Sequence, residues 1–204
     1  MSASTLGQSV PQVNALSKVL GRAQYAGDIK LPGMLHGKVL RSPHPHARIV
    51  RIDVSAARAL AGVKVVLTGE DAPNTPWGVH HKERYILAKG FVRFAGEEVA
   101  AVAAISEDIA RDALDLIEVE YEVLPAQLNP QDGLLGHGPE VHQGRTLAHD
   151  IQFHRGDVDQ AFTSAHLVFE ADYSTHAQYP GYLEPMATVA AVDPTGRLEV
   201  WTST

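Results

Sequence analysis

This 204-residue chain holds eleven histidines and 24 carboxylates, the side chains best equipped for acid–base or metal chemistry, and their spacing decides whether they could act together. His44 and His46 would share one face of a strand, but Pro43 and Pro45 force a loop there, and no third ligand stands at a useful interval. His80 and His81 are adjacent and would diverge in a strand. Both pairs are read as surface or packed histidines, so no metal ligand is assigned. Glu118, Glu120 and Glu122 alternate with Ile117, Val119, Tyr121 and Val123, the pattern of a half-buried strand with an acidic solvent face. Of Glu97 and Glu98, one is expected to be half buried beside the apolar run Val99–Ile105, and neither is assigned a catalytic role. A last polar group, His176, Gln178, Tyr179, Tyr182 and Glu184, surrounds Pro180-Gly181, where a loop breaks two extended runs and side chains are well placed for a ligand. On spacing alone, an ordinary hairpin with exposed polar residues is the favoured reading.

Several chemistries are excluded outright. The absence of cysteine removes disulfides, thiolate zinc sites, cysteine nucleophiles and protein-held iron–sulfur clusters. No GxGxxG follows a strand, and neither GxxxxGK[ST] nor GxSxG occurs, so nucleotide-cradling loops and the hydrolase elbow lack support. A formal charge of −7, a sequence pI near 5.8 and no basic run argue against nucleic-acid binding. With 45% hydrophobic residues the chain can build a packed core. Its start lacks the pattern of a secretory signal and its apolar runs are too short for a membrane helix, so a soluble, cytoplasmic protein without a membrane or nucleic-acid partner is expected.

The elements that must position these side chains are marked by Gly and Pro. Strands are expected at Met34–Arg41, Ile49–Val54 and Val63–Leu67, with Ser55 as N-cap of a short helix to Leu60 that Gly62 stops. Val99–Ile105 is an apolar strand, Ser106 an N-cap, and Glu107 and Asp108 favour the first turn of a helix to about Leu116. Its apolar positions Ile109, Ala110, Ala113, Leu114 and Ile117 share one face. With the strand that follows, this segment could form a crossover unit. Pro125 to His149 is expected to be a linker or long loop. A helical turn at Val158–Thr163 precedes extended runs at Leu167–Thr175, Tyr182–Val192 and Leu198–Thr202, the last two joined by the turn Asp193-Pro194-Thr195-Gly196. The residues alone thus give an α+β protein.

Longer strings add a family. PGMLHGKVLRSPHPHARI (Pro32 to Ile49), GVKVVLTGED (Gly62 to Asp71), VRFAGEEVAAVAA (Val92 to Ala104) and IEVEYEVLPA (Ile117 to Ala126) resemble, in order and spacing, the a/b hammerhead domain of the xanthine dehydrogenase and aldehyde oxidase family. GDVDQAF (Gly156 to Phe162), then YLEP and GRLEVWTST, resemble the opening of the molybdopterin-binding domain that follows it. The resemblance implies an N-terminal segment at 1–20, a hammerhead domain at 21–127, a linker at 128–149 and a β-rich, truncated start of a molybdopterin-binding domain at 150–204. It further implies the N-terminal part of the large subunit of a molybdenum hydroxylase, an oxidoreductase that hydroxylates aldehydes or N-heteroaromatic rings with oxygen from water. The 2Fe-2S clusters and FAD would lie on partner domains or subunits. In that family a glutamine six residues before the YLE glutamate approaches an oxygen ligand of the metal, a place held here by Gln178; no catalytic residue and no metal ligand is carried over. Tyr179-Pro180 departs from the Glu-His of many members, which alters the expected loop. The chain is expected to be a scaffold that is inactive alone, with the remainder of the molybdopterin-binding subunit as its partner and Leu198–Thr202 presenting an edge to it. The alternative is a non-catalytic structural or assembly module derived from a hammerhead domain.

Overall fold

The computed structural model describes residues 6–79, 81–142, 144–147 and 149–203; His80 lies outside them. In chain order the elements are α1 (Ala15–Val19), a 3-10 turn (Ala26–Asp28), β1 (His36–Arg41), β2 (Ala47–Asp53), α2 (Ser55–Ala59), β3 (Val63–Thr68), β4 (Phe91–Val92), β5 (Glu98–Ala104), α3 (Glu107–Asp115), β6 (Glu118–Val123), α4 (Pro130–Leu134), α5 (Val158–Ser164), β7 (Thr188–Val192) and β8 (Leu198–Thr202). They fall into two compact units, one spanning Gly33–Ser164 and the other made of the described residues of Met1–Pro32 and Ala165–Thr204.

The larger unit is built on two antiparallel three-stranded sheets ordered β1-β5-β3 and β4-β2-β6. β5, with the sequence EVAAVAA, is apolar on both faces, which is why it sits in the middle of its sheet. Period-two alternation sends Ala100, Val102 and Ala104 into one core with Val54, Ala57, Val66, Ala110, Ala113 and Ile117. It sends Val99 the other way, into a second core with Ala47, Ala88 and Val92. Fully buried alanines at 110 and 113 let α3 approach the sheet closely. That helix begins as its sequence predicts, the Ser106 hydroxyl accepting the Ile109 N–H at 3.3 Å with Glu107 and Asp108 in the first turn. Gly62 turns the chain before β3 with φ at +96°, and Ile105 N–H donates to its carbonyl at 3.0 Å.

Four expectations are corrected. α2 starts at Ser55 rather than after it, with Val54 at the N-cap position and no side-chain cap, while the Asp53 carboxylate accepts the Ser55 N–H at 2.9 Å and its hydroxyl at 2.6 Å. β5 and β6 belong to different sheets, so α3 links two sheets and forms no parallel crossover. The segment 125–149 is not a bare linker: Asn129 caps α4 by accepting the Gln131 N–H at 3.0 Å, with Pro130 in its first turn. Leu167–Thr175 forms no strand, and in Tyr182–Val192 the strand begins only at Thr188. A strand exists only where a neighbour takes its N–H and C=O groups; Leu167–Thr175 has no ladder partner among the described residues, and Pro185 removes a donor just before β7.

In the smaller unit β7 and β8 form an antiparallel hairpin, in register from Thr188↔Thr202 to Val192↔Leu198. Asp193 shapes its turn by accepting the N–H groups of Thr195 at 2.8 Å and Arg197 at 3.0 Å. β8 thus has a partner within the chain. The 3-10 turn packs against β7.

Candidate functional site

The loop around Gln178 lies in the smaller unit, in a stretch without regular structure. Pro180 cannot donate a backbone hydrogen bond, Gly181 has φ at +64°, and the chain bends at Leu183 and Glu184. The Tyr179 and Tyr182 rings stand 5.9 Å apart at 53°. His176, Gln178, Tyr179 and Tyr182 are all exposed. Gln178 Nε2 lies 3.5 Å from His176 Nε2, the outer limit of a hydrogen bond, so the amide is held only loosely. Glu184 is half-buried and lines a cavity of about 590 Å³ together with Tyr25, Gly27, Asp28, Leu183, Pro185 and Ala187. The loop therefore presents neutral donors and two aromatic rings outward, while its carboxylate turns to a largely apolar hollow.

In the larger unit, His44 stacks edge-on against Tyr121 with centroids 5.0 Å apart. His46 is buried and its Nδ1 donates to the Pro125 carbonyl at 2.7 Å, so it is a packed histidine. Glu98 pairs with Arg41 at 2.6 Å. Glu118, Glu120 and Glu122 lie on the exposed face of β6, Glu122 paired with Arg48. Among the described residues no three His, Cys, Asp or Glu side chains gather in a way that could hold a metal ion.

Glu97 is more deeply buried than its sequence position suggests, at 7% exposure. It accepts the backbone N–H of Arg93. Burial pushes its carboxyl above the ordinary range, and the Arg93 hydrogen bond and charge work against that rise. Arg93 itself has a buried Nε without a partner among the described residues. Its charge also reaches His142, whose imidazole is held below its usual range by burial first, then by Arg93, with Glu83 opposing and Arg145 and His46 adding to the depression. His81, Glu83, Gln127, His142, Arg145 and neighbouring residues enclose a cavity of about 130 Å³. Sequence reasoning did not find this group, because Arg93 and His142 are brought together only by the folded loop 125–147. A hint was present in the polar pair His142 and Arg145, three residues apart.

Two family models match the chain in tandem. The one described as aldehyde oxidase and xanthine dehydrogenase, a/b hammerhead domain, covers residues 20–125, and one described as molybdopterin cofactor-binding domain covers residues 140–204. The nicotinate dehydrogenase large molybdopterin subunit of Eubacterium barkeri is 39% identical over 201 residues, covering 98% of this chain and 47% of that protein. The carbon monoxide dehydrogenase large chain of Afipia carboxidovorans is 35% identical over 204 residues, covering 89% of this chain and 25% of that protein. The crystal structure of quinoline 2-oxidoreductase from Pseudomonas putida superposes with a TM-score of 0.80 at 34% identity, covering 98% of this chain and 27% of that one. The chain thus spans from about a quarter to about half of the length of these curated relatives.

Proposed function

Because the chain belongs to the aldehyde oxidase and xanthine dehydrogenase family, we propose that it forms the N-terminal part of the large, molybdopterin-binding subunit of a molybdenum hydroxylase. The observation that carries this reading is the tandem order of the two domain matches, hammerhead at 20–125 and cofactor-binding at 140–204. The whole enzyme would hydroxylate an aldehyde or an N-heteroaromatic ring with oxygen from water, with 2Fe-2S and FAD on partner domains or subunits, in the cytoplasm. No helix among the described residues is long and apolar enough to cross a membrane.

The molybdenum–pterin group would supply the two-electron redox centre for that chemistry. Toward it this chain would contribute Gln178. A neutral amide suits the neighbourhood of a charged metal centre, since it donates a hydrogen bond without adding charge, and its exposure and loose contact with His176 leave it able to turn to such a partner. Tyr179 and Tyr182 would flank it as a wall. The hammerhead, with catalytic groups assigned to none of its residues, would act as scaffold over about 21–127, joined through 128–149 to the start of the cofactor-binding domain at 150–204.

Expression of the complete subunit with its partners tests the reading. Stoichiometric molybdenum and incorporation of labelled water oxygen into a heteroaromatic or aldehyde substrate are expected, and Gln178→Ala should lower turnover at least about tenfold, the loss of one hydrogen bond to a charged group. A folded complete protein without molybdenum would favour the assembly-module alternative. Turnover by the 204-residue chain alone would overturn the scaffold assignment.

A further inference from the structure

The cavity beside His142 in the larger unit has walls of opposite chemical character. On one side Trp77 and Arg84 are paired by backbone bonds from Trp77 N–H to the Arg84 carbonyl at 2.8 Å and from Arg84 N–H back to the Trp77 carbonyl at 3.0 Å. The Arg84 guanidinium rests over the rings of Trp77 and Phe94, at 5.7 and 5.0 Å from their centroids. Glycine is required at position 78, since a Cβ there would stand 1.7 Å from the His81 carbonyl oxygen. These constraints hold His81 and Glu83 against the cavity. On the other side Arg145 N–H donates to the His142 carbonyl at 3.0 Å, and half-buried His142, exposed Arg145 and Gln127 line the same space. Among the described residues, neither the Glu83 nor the Arg145 side chain has a hydrogen bond or ion pair within the chain.

The wall thus carries one guanidinium, two imidazoles and one carboxylate. The guanidinium disfavours a metal cation, and Arg93 and His46 behind His142 add positive field. A lone carboxylate among these donors can only accept a hydrogen bond, so the ligand that satisfies every group is an anion that still carries a proton. The volume of about 130 Å³ leaves room for a tetrahedral oxyanion, since a single water needs only about 10–15 Å³ on that measure. We propose that this cavity binds hydrogenphosphate, free or as the headgroup of a small monoester, with Arg145, His81 and His142 donating to its oxygens and Glu83 accepting its P–O–H proton.

The test uses the 204-residue chain titrated calorimetrically and by histidine ring NMR with inorganic phosphate, with sulfate at matched ionic strength, and with glycerol phosphate. Phosphate should give saturable shifts at His81 and His142, and sulfate, which has no proton to offer Glu83, should bind at least about tenfold more weakly. Bound phosphate should raise the titration midpoint of His142, because an anion offsets the field of Arg93, Arg145 and His46. Arg145→Gln should weaken phosphate about tenfold or more, and Glu83→Gln should bring sulfate to parity with phosphate. Glycerol phosphate binding like phosphate would assign a monoester site, and its failure a site for the free ion. Equal affinity for phosphate and sulfate that Glu83→Gln leaves unchanged, or no saturable shift at either histidine, would overturn the proposal.

Discussion

Glu97 offers a quantitative test of how the larger unit is held together. Its carboxylate, 7% exposed, accepts the N–H of Arg93, and two substitutions separate its charge from its hydrogen bond. Glu97→Ala strands the Arg93 N–H, which costs about 1–3 kcal/mol, or roughly 3–10 °C in melting temperature for a chain of this size. Glu97→Gln keeps an oxygen acceptor and removes the buried charge. It exchanges a charge-assisted bond for a neutral one, a loss of about 1 kcal/mol, and recovers the cost of desolvating the carboxylate, so it should stay within about 1 kcal/mol of the parent. The two variants also differ with pH. Burial raises the native carboxyl above its ordinary value of 4.5, so the native state keeps its proton over a window in which the unfolded chain has already lost it. The stability that Glu97 contributes is therefore full below the unfolded value and is lost as pH rises through the native one. Glu97→Gln should erase that decline, and its advantage over the parent should grow as pH rises from 4.5 toward neutrality. Urea melts followed by Trp77 fluorescence in a Trp201→Phe background, at several pH values, report the larger unit alone. Equal destabilisation by both substitutions, or a Glu97→Gln pH curve parallel to the parent's, would refute the assignment.

Two further outcomes follow from local geometry. Ser106→Ala removes the cap that takes the Ile109 N–H and should cost about 1 kcal/mol, measurable as a lower urea midpoint at unchanged slope. Gly62→Ala forces an L side chain to φ +96° and places its Cβ 2.8 Å from Ile109 Cδ1. It should therefore destabilise by more than the ~1 kcal/mol of the backbone term alone, with faster amide exchange at Ile105, whose N–H bonds to Gly62.

Where local rules had only short-range partners to consider, the sequence was a reliable guide. The Ser106 cap, the 107–115 helix and the Asp193–Gly196 turn all rest on contacts between near neighbours in the chain, and all occur. Where the outcome depended on a distant partner, it was not. Leu167–Thr175 has the composition of a strand and lacks a ladder neighbour among the described residues. The sequence left open which of Glu97 and Glu98 is buried and suggested only half burial, whereas Glu97 is 7% exposed and Ser42, distant in sequence, donates its N–H to the Glu97 carbonyl at 2.9 Å. Gln178 was found through motif resemblance, because nothing in its local spacing distinguishes it from an exposed hairpin residue.

Composition and periodicity by themselves determined the α+β character and the absence of thiol chemistry, and motif order determined the family, since residue types and their order are properties of the chain before it folds. Tertiary structure alone decided which sheet each strand joined, which carboxylate was buried, and that Arg93, Glu83, His142 and Arg145 share one neighbourhood. Burial and electrostatic field depend on atoms far apart in sequence, and only the packed loop 125–147 brings those atoms within range of one another.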